Sequence, residues 1–217
     1  MSAISDLDWE VVLEHYDLRY SIHRQLLDLM KRRKRSEFAE LLLGVSDPNG
    51  NYSAVEHGLG PLILGENLNA INRLWVLSRH FRSLEDAHEV PRLIHEAGLQ
   101  YLQIGVGSEA SCMLNPSICW VANTRTIWTQ LVLKHGDFEK ADTELRLYRD
   151  EDSTSEMAYP AWPDLHSGLA VSMTEIAKEG KLLARQAGVA AGSKAYLWAD
   201  CIADALYESY YGEDRPA

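Results

Sequence analysis

The chain has 217 residues, 46% of them hydrophobic and 24% charged, with a net charge of −11. That balance excludes intrinsic disorder, and the length predicts a single domain, residues 1–217, with a sizeable core. The acidic surface disfavours general binding to phosphate backbones, and no apolar run approaches the roughly 18 residues that a membrane span needs.

Helical periodicity runs through the chain. Trp9, Leu13, Tyr16, Tyr20, His23, Leu27 and Met30 recur at steps of three or four and predict a helix over about 7–33. Its end carries the run Lys31-Arg32-Arg33-Lys34-Arg35, whose cations complement the dipole at a helix C-terminus. Ser36 caps a short helix to Leu43, and residues 44–60, with Asp47-Pro48-Asn49-Gly50-Asn51, read as a loop. Further helices are expected over 65–80 and 91–113. Asn115-Pro116 signals the start of another, reaching His135 with Gly136 as its stop. Asp137 caps a helix to about Arg149, residues 150–163 form a connection, and Asp164 caps a helix to about Ala187. Residues 188–192 are a flexible turn before the last helix, which Ser193 caps and Gly212 ends. The fold class is all-α, an irregular bundle of seven or eight helices.

The stretch 116–135 is apolar on nearly every side, so it is expected at the centre of the bundle. Arg125 would then be buried and need a counter-charge, and Glu109 on the preceding helix is the expected partner. A polar pocket between helices 91–113 and 116–135 follows, with Glu109, Cys112, Asn123, Arg125 and Thr126 as its candidate binding residues. Gly105, Gly107, Ser108, Ala110 and Ser111 suggest close backbone approach in the same region.

Motifs for catalysis and cofactors are sparse. There is one Glu-x-x-His pair, Glu85 to His88, where a di-iron bundle needs two, and no His-x-x-x-His pair, P-loop or dinucleotide fingerprint. No metal and no cofactor is expected. Cys112, Cys119 and Cys201 are odd in number and lack a C-x-x-C, so they read as reduced, buried thiols of a cytoplasmic protein. Arg73 and His80, seven apart, share a helix face. This spacing resembles the arginine–x(4–6)–histidine signature of HEPN ribonucleases, with Leu74 where that family carries a polar residue. The resemblance implies a helical ribonuclease in which Arg73 and His80 act on an RNA phosphodiester. Glu109 with Arg125 offers a hydrolase as the other enzymatic alternative.

Asp200, Asp204 and Glu208 follow at i, i+4 and i+8 on the last helix and are expected on a solvated face. The same helix carries Tyr196, Trp198, Tyr207, Tyr210 and Tyr211. Tyrosine and tryptophan favour interfaces, which predicts a homo-oligomer or a protein partner at this helix. The sequence therefore favours a non-catalytic binding or interaction protein, with nucleic acid entering only through Lys31–Arg35.

Overall fold

Asp8 begins the first helix, α1 (Trp9–Lys31), by accepting the N–H groups of Glu10 and Val11 at 3.0 and 3.3 Å. The computed structural model describes residues 3–147 and 159–212. Among them it contains eleven α-helices, two 3-10 turns and no strand, so the all-α class holds. After α1 come α2 (Arg35–Leu42), α3 (Tyr52–Glu56), α4 (Leu59–Glu66), α5 (Ala70–Ser83), α6 (Val90–Ala97) and α7 (Ile104–Leu114). Then follow α8 (Thr124–His135), α9 (Phe138–Leu147), α10 (Ala161–Gln186) and α11 (Ala195–Tyr211).

The count exceeds seven or eight because single residues break runs whose apolar pattern continues across them. Asn69 in the left-handed region separates α4 from α5. Gly98 and Tyr101, also left-handed, separate α6 from α7. The expected loop 44–60 holds a 3-10 turn at Pro48–Gly50, all of α3 and the start of α4. The short apolar runs 62–64 and 103–106 lie in or at the start of helices. Most of the 150–163 connection and the end of the helix expected to reach Arg149 fall outside the described residues.

The largest correction concerns 116–135. Asn115 does not cap a helix there. Its side-chain amide donates to the carbonyls of Phe81 and Leu84 at the end of α5, at 3.2 and 3.0 Å. The chain then crosses the core without helical structure, with Cys119, Trp120, Val121 and Ala122 buried, and α8 begins only at Thr124. Asn123 and Thr126 form its capping box. The helix wrapped on nearly every side is instead α7, buried at every position except Gly105. Its small residues serve close packing: a Cβ on Gly107 would stand 2.5 Å from Ile94 of α6.

One contiguous core joins residues from Ile4 to Leu206. The aromatic side chains of α11 take part in it. Trp198 is fully buried, and Tyr207, Tyr210 and Tyr211 pack around Trp128 of α8. Tyr211 alone of the five is counted among the exposed large hydrophobics. No helix among the described residues is long and apolar enough to cross a membrane.

Candidate functional site

A chain of charged side chains runs from the middle of the bundle to its surface, built by α1, α3, α7, α8 and α11. Arg19 is its inner end. On α1 it falls in register with Val12, Tyr16, Ile22, Leu26 and Met30 and is fully buried with them. Its Nη1 lies 2.7 Å from Glu109 Oε1 and donates to the Asn49 carbonyl at 2.9 Å. Its Nη2 donates to Asp200 Oδ2 at 3.1 Å. The guanidinium also lies over the Tyr52 ring, 4.7 Å from its centroid. Glu109 is further satisfied by the first N–H groups of α3, from Tyr52 at 2.7 Å and Ser53 at 2.9 Å.

Glu109 and Arg125 are therefore not partners. Glu109 is taken by Arg19, and Arg125 sits 2.6 Å from Glu208 and 3.6 Å from Asp204. The cause is the non-helical crossing of 116–123, which replaces the close antiparallel helix pair with a longer route. Arg125 is also only partly enclosed, at 21% side-chain exposure. The row on α11 is corrected as well. Asp200 and Asp204 are buried, at 1% and 3% exposure, and only Glu208 meets solvent.

The two aspartates are unlike ordinary buried carboxylates. Among the described residues Asp204 has no hydrogen-bond donor on either oxygen, and Asp200 has none on Oδ1. Burial raises the Asp200 carboxyl to about 7, against the pull of Arg19. Burial, then the neighbouring Asp200 charge, pushes Asp204 well up. Asp204 faces a cleft of about 720 Å³ whose walls include Asp6, Leu7, Val11, His15, Tyr52, Arg125 and Glu208. His15 Nε2 lies 3.9 Å from Asp204 Oδ2 and 2.9 Å from the Tyr52 hydroxyl, which itself donates to Asn49 Oδ1 at 2.8 Å. Since that hydroxyl proton is spent on Asn49, His15 donates to it through Nε2–H. Burial, then the nearby Arg19 and Arg125, lowers His15 to about 4, so its imidazole is neutral at pH 7 and adds no charge to the cleft.

The charge count defines what the arrangement can hold. Two guanidiniums, Arg19 and Arg125, face three buried carboxylates, Glu109, Asp200 and Asp204. Arg125 is shared with the exposed Glu208, so the buried cluster is at least one positive charge short, and the deficit falls at Asp204 on the cleft wall. A proton or a bound cation supplies it.

The remaining sequence candidates lie elsewhere. Cys112, Cys119 and Cys201 are fully buried, and burial drives their thiols up, Cys119 to about 12. Asn123 Oδ1 and Thr126 Oγ1 are spent on the α8 cap, and the Asn123 amide N–H reaches Ser53 Oγ at 3.4 Å. His23 is a core histidine whose Nδ1–H meets the Met113 carbonyl at 2.6 Å. Arg73 and His80 do line one groove, of about 560 Å³, between α5 and α6. There the Arg73 guanidinium donates to the Ala97 carbonyl at the end of α6. No group of three or more His, Cys, Asp or Glu among the described residues is arranged to hold a metal ion.

Sequence reading missed Arg19, His15 and Tyr52, and it placed Asp200 and Asp204 on a solvated face. A signal for Arg19 was present, because it falls at the helical spacing of Val12, Tyr16 and Ile22. For the aspartates it was the apolar sequence on all sides of them, from Leu197 to Leu206. Comparison of the chain with models of known families, with curated proteins and with solved structures finds no match.

Proposed function

We propose that this is a binding protein whose cleft takes a small organic cation, an ammonium or guanidinium on a short apolar body, with the positive group against Asp204. The observation that carries this reading is the Asp204 carboxylate, buried on the cleft wall with no hydrogen-bond donor on either oxygen among the described residues. A buried carboxylate in that state is costly unless it is neutralised. Asp6, Asp8 and Glu208 give the mouth the same sign, which favours entry of cations. Leu7, Val11 and Ala205 supply apolar wall for the body of the ligand.

The reading makes the polar pocket expected from sequence a different one, opening between α1 and α11. Ribonuclease chemistry at Arg73 and His80 has less support, since the Arg73 guanidinium is engaged in closing α6. Self-association through α11 has less support, because Trp198 is fully buried and Tyr196, Tyr207 and Tyr210 are half-buried against the core, which leaves Tyr211 as the exposed aromatic of that helix.

Isothermal titration with butylamine, benzylamine, agmatine and spermidine tests the proposal. At least one is expected to bind at pH 7.5, to release a proton on binding, and to lose at least tenfold affinity in Asp204→Asn. Absence of binding by all four, or binding unchanged in Asp204→Asn, overturns it.

A further inference from the structure

The turn between α1 and α2 places five cations where local helix energetics explains only two of them, Lys31 and the C-cap Arg32, which also pairs with Asp28. Lys31 is the last residue of α1, where a cation complements the dipole. Arg33 adopts a left-handed backbone, φ 57°, at a position that glycine or asparagine fills at lower cost. The turn closes with Arg33 N–H on the Met30 carbonyl at 3.1 Å and Lys34 N–H on the Leu29 carbonyl at 3.0 Å. Lys34 and Arg35 then stand at the N-terminus of α2, the end at which positive charge is unfavourable. Lys34 offers that helix no side-chain cap. Three cations are thus held at positions that cost stability.

Packing continues the row. Arg35 reaches Asn72 near the start of α5 at 2.9 Å and lies 5.4 Å from the centroid of the Trp75 ring. Lys31, at the other end of the run, shares a groove with Arg79 and Arg82 near the end of α5. From Asn72 to Arg82 the helix rises about 15 Å. The stripe spans that length and holds seven of the 21 basic residues in a chain with 32 acidic ones. Despite that excess of acids, none of Lys31, Arg33, Arg79 and Arg82 has a carboxylate within ion-pair distance among the described residues. Asp28 and Glu37 serve Arg32 and Lys34 instead.

We propose that this stripe, Lys31–Arg35 with Arg79 and Arg82, is a binding surface for the phosphate backbone of a single-stranded nucleic acid. Arginine dominates it, and the planar guanidinium suits phosphate oxygens. About 15 Å accommodates on the order of four successive phosphates of a stacked strand, which rises 3.4 Å per phosphate along its axis. Insertion into a membrane surface would call for exposed apolar side chains among the cations. The groove has only Met30 and Trp75, both buried. Recognition through phosphates alone carries no base preference.

The test is fluorescence anisotropy of a fluorescein-labelled 20-nucleotide oligo(U) with the full chain at 50 mM salt. Binding is expected to weaken as salt rises, with a log–log slope of roughly −3, the value for about four phosphates on a single strand. The R79E/R82E and K31E/R33E variants, all surface changes, are each expected to lose at least tenfold affinity. K178E/R185E on α10 carries the same charge change at exposed positions and is expected to lose less than threefold. No binding at 100 µM protein, equal losses in all three variants, displacement by polyglutamate as effective as by oligo(U), or binding only to phosphatidylserine vesicles would each overturn the proposal.

Discussion

Arg19 and Glu109 meet at 2.7 Å with side-chain exposures of 0% and 1%, joining the middle of α1 to the middle of α7 out of reach of solvent. Two charges in such a place are held by geometry, because the attraction must offset the loss of both hydration shells. Here each has further partners: Arg19 the Asp200 carboxylate and Asn49 carbonyl, Glu109 two N–H groups of α3.

Removing one partner strands the other. Arg19→Met leaves Glu109 and Asp200 uncompensated in the core, so a loss of about 3–5 kcal/mol is expected in urea unfolding. Glu109→Gln keeps one carbonyl oxygen for the Tyr52 N–H but sets its NH2 against the Ser53 N–H; because Arg19 retains Asp200, the loss should still be smaller. Equal losses in the two variants would mean that the pair is not what holds α1 to α7.

The aspartates make stability depend on pH in a definite direction. A carboxyl raised to about 7 in the folded chain and near 3.9 when unfolded binds an extra proton when folded between those values. Stability from Asp200 is therefore full below about pH 4 and is lost as pH rises through 7. Asp204, also raised, acts with the same sign. His15 and His166, lowered to about 4 chiefly by burial, act oppositely. Their contribution is present above about 6.5 and lost as pH falls through 4. The two effects oppose each other from about 4 to 6.5, and above 6.5 the aspartates act alone. Unfolding free energies from urea titration should fall from pH 6.5 to 8, on the order of 1 kcal/mol per pH unit. Asp204→Asn should flatten that fall, since it removes one of the two raised carboxyls. A wild-type profile already flat above 6.5 would contradict this.

Much of the fold is legible in the sequence, and what is not shares one cause. The apolar stripe of α1, the stop of α8 at Gly136 and the turn before α11 follow from local pattern. The capping signal at Asn115-Pro116 fails because the Asn115 amide is drawn to carbonyls at the end of α5, about 30 residues back in the chain. The row Asp200, Asp204 and Glu208 looks solvated in so acidic a chain. Burial of the first two depends on a guanidinium 181 residues away from Asp200. Local spacing reports a residue's own helix, not the counter-charge that tertiary packing brings to it.

A glycine sets the inner wall of the site. A Cβ on Gly50 would stand 1.8 Å from the Leu41 carbonyl oxygen, a backbone atom that cannot swing aside. Gly50 follows Asn49, whose carbonyl takes Arg19 and whose side chain takes the Tyr52 hydroxyl. Gly50→Ala should therefore cost about 3 kcal/mol through backbone displacement and weaken amine binding in the cleft. Gly58→Ala is the control. Its φ is +63° but nothing lies within 4 Å of the added Cβ, so only about 1 kcal/mol of left-handed strain is expected. Matching losses for the two, by chemical denaturation, would exclude a special role for the Asn49–Gly50 corner.

Arg125 and Asp204 should move ligand affinity in opposite directions. Arg125 Nη1 lies 3.6 Å from Asp204 and 2.6 Å from Glu208, and so partly occupies the place proposed for the cation. Arg125→Met removes that competitor and leaves Asp204 more in need of positive charge. The apo protein should lose about 1–3 kcal/mol of stability, whereas affinity for butylamine or agmatine should rise severalfold. Asp204→Asn should do the reverse, abolishing amine binding while sparing or improving apo stability at pH 8. A fall in amine affinity in both variants would instead make Arg125 part of the ligand's own seat, with an anionic group on the ligand as its partner.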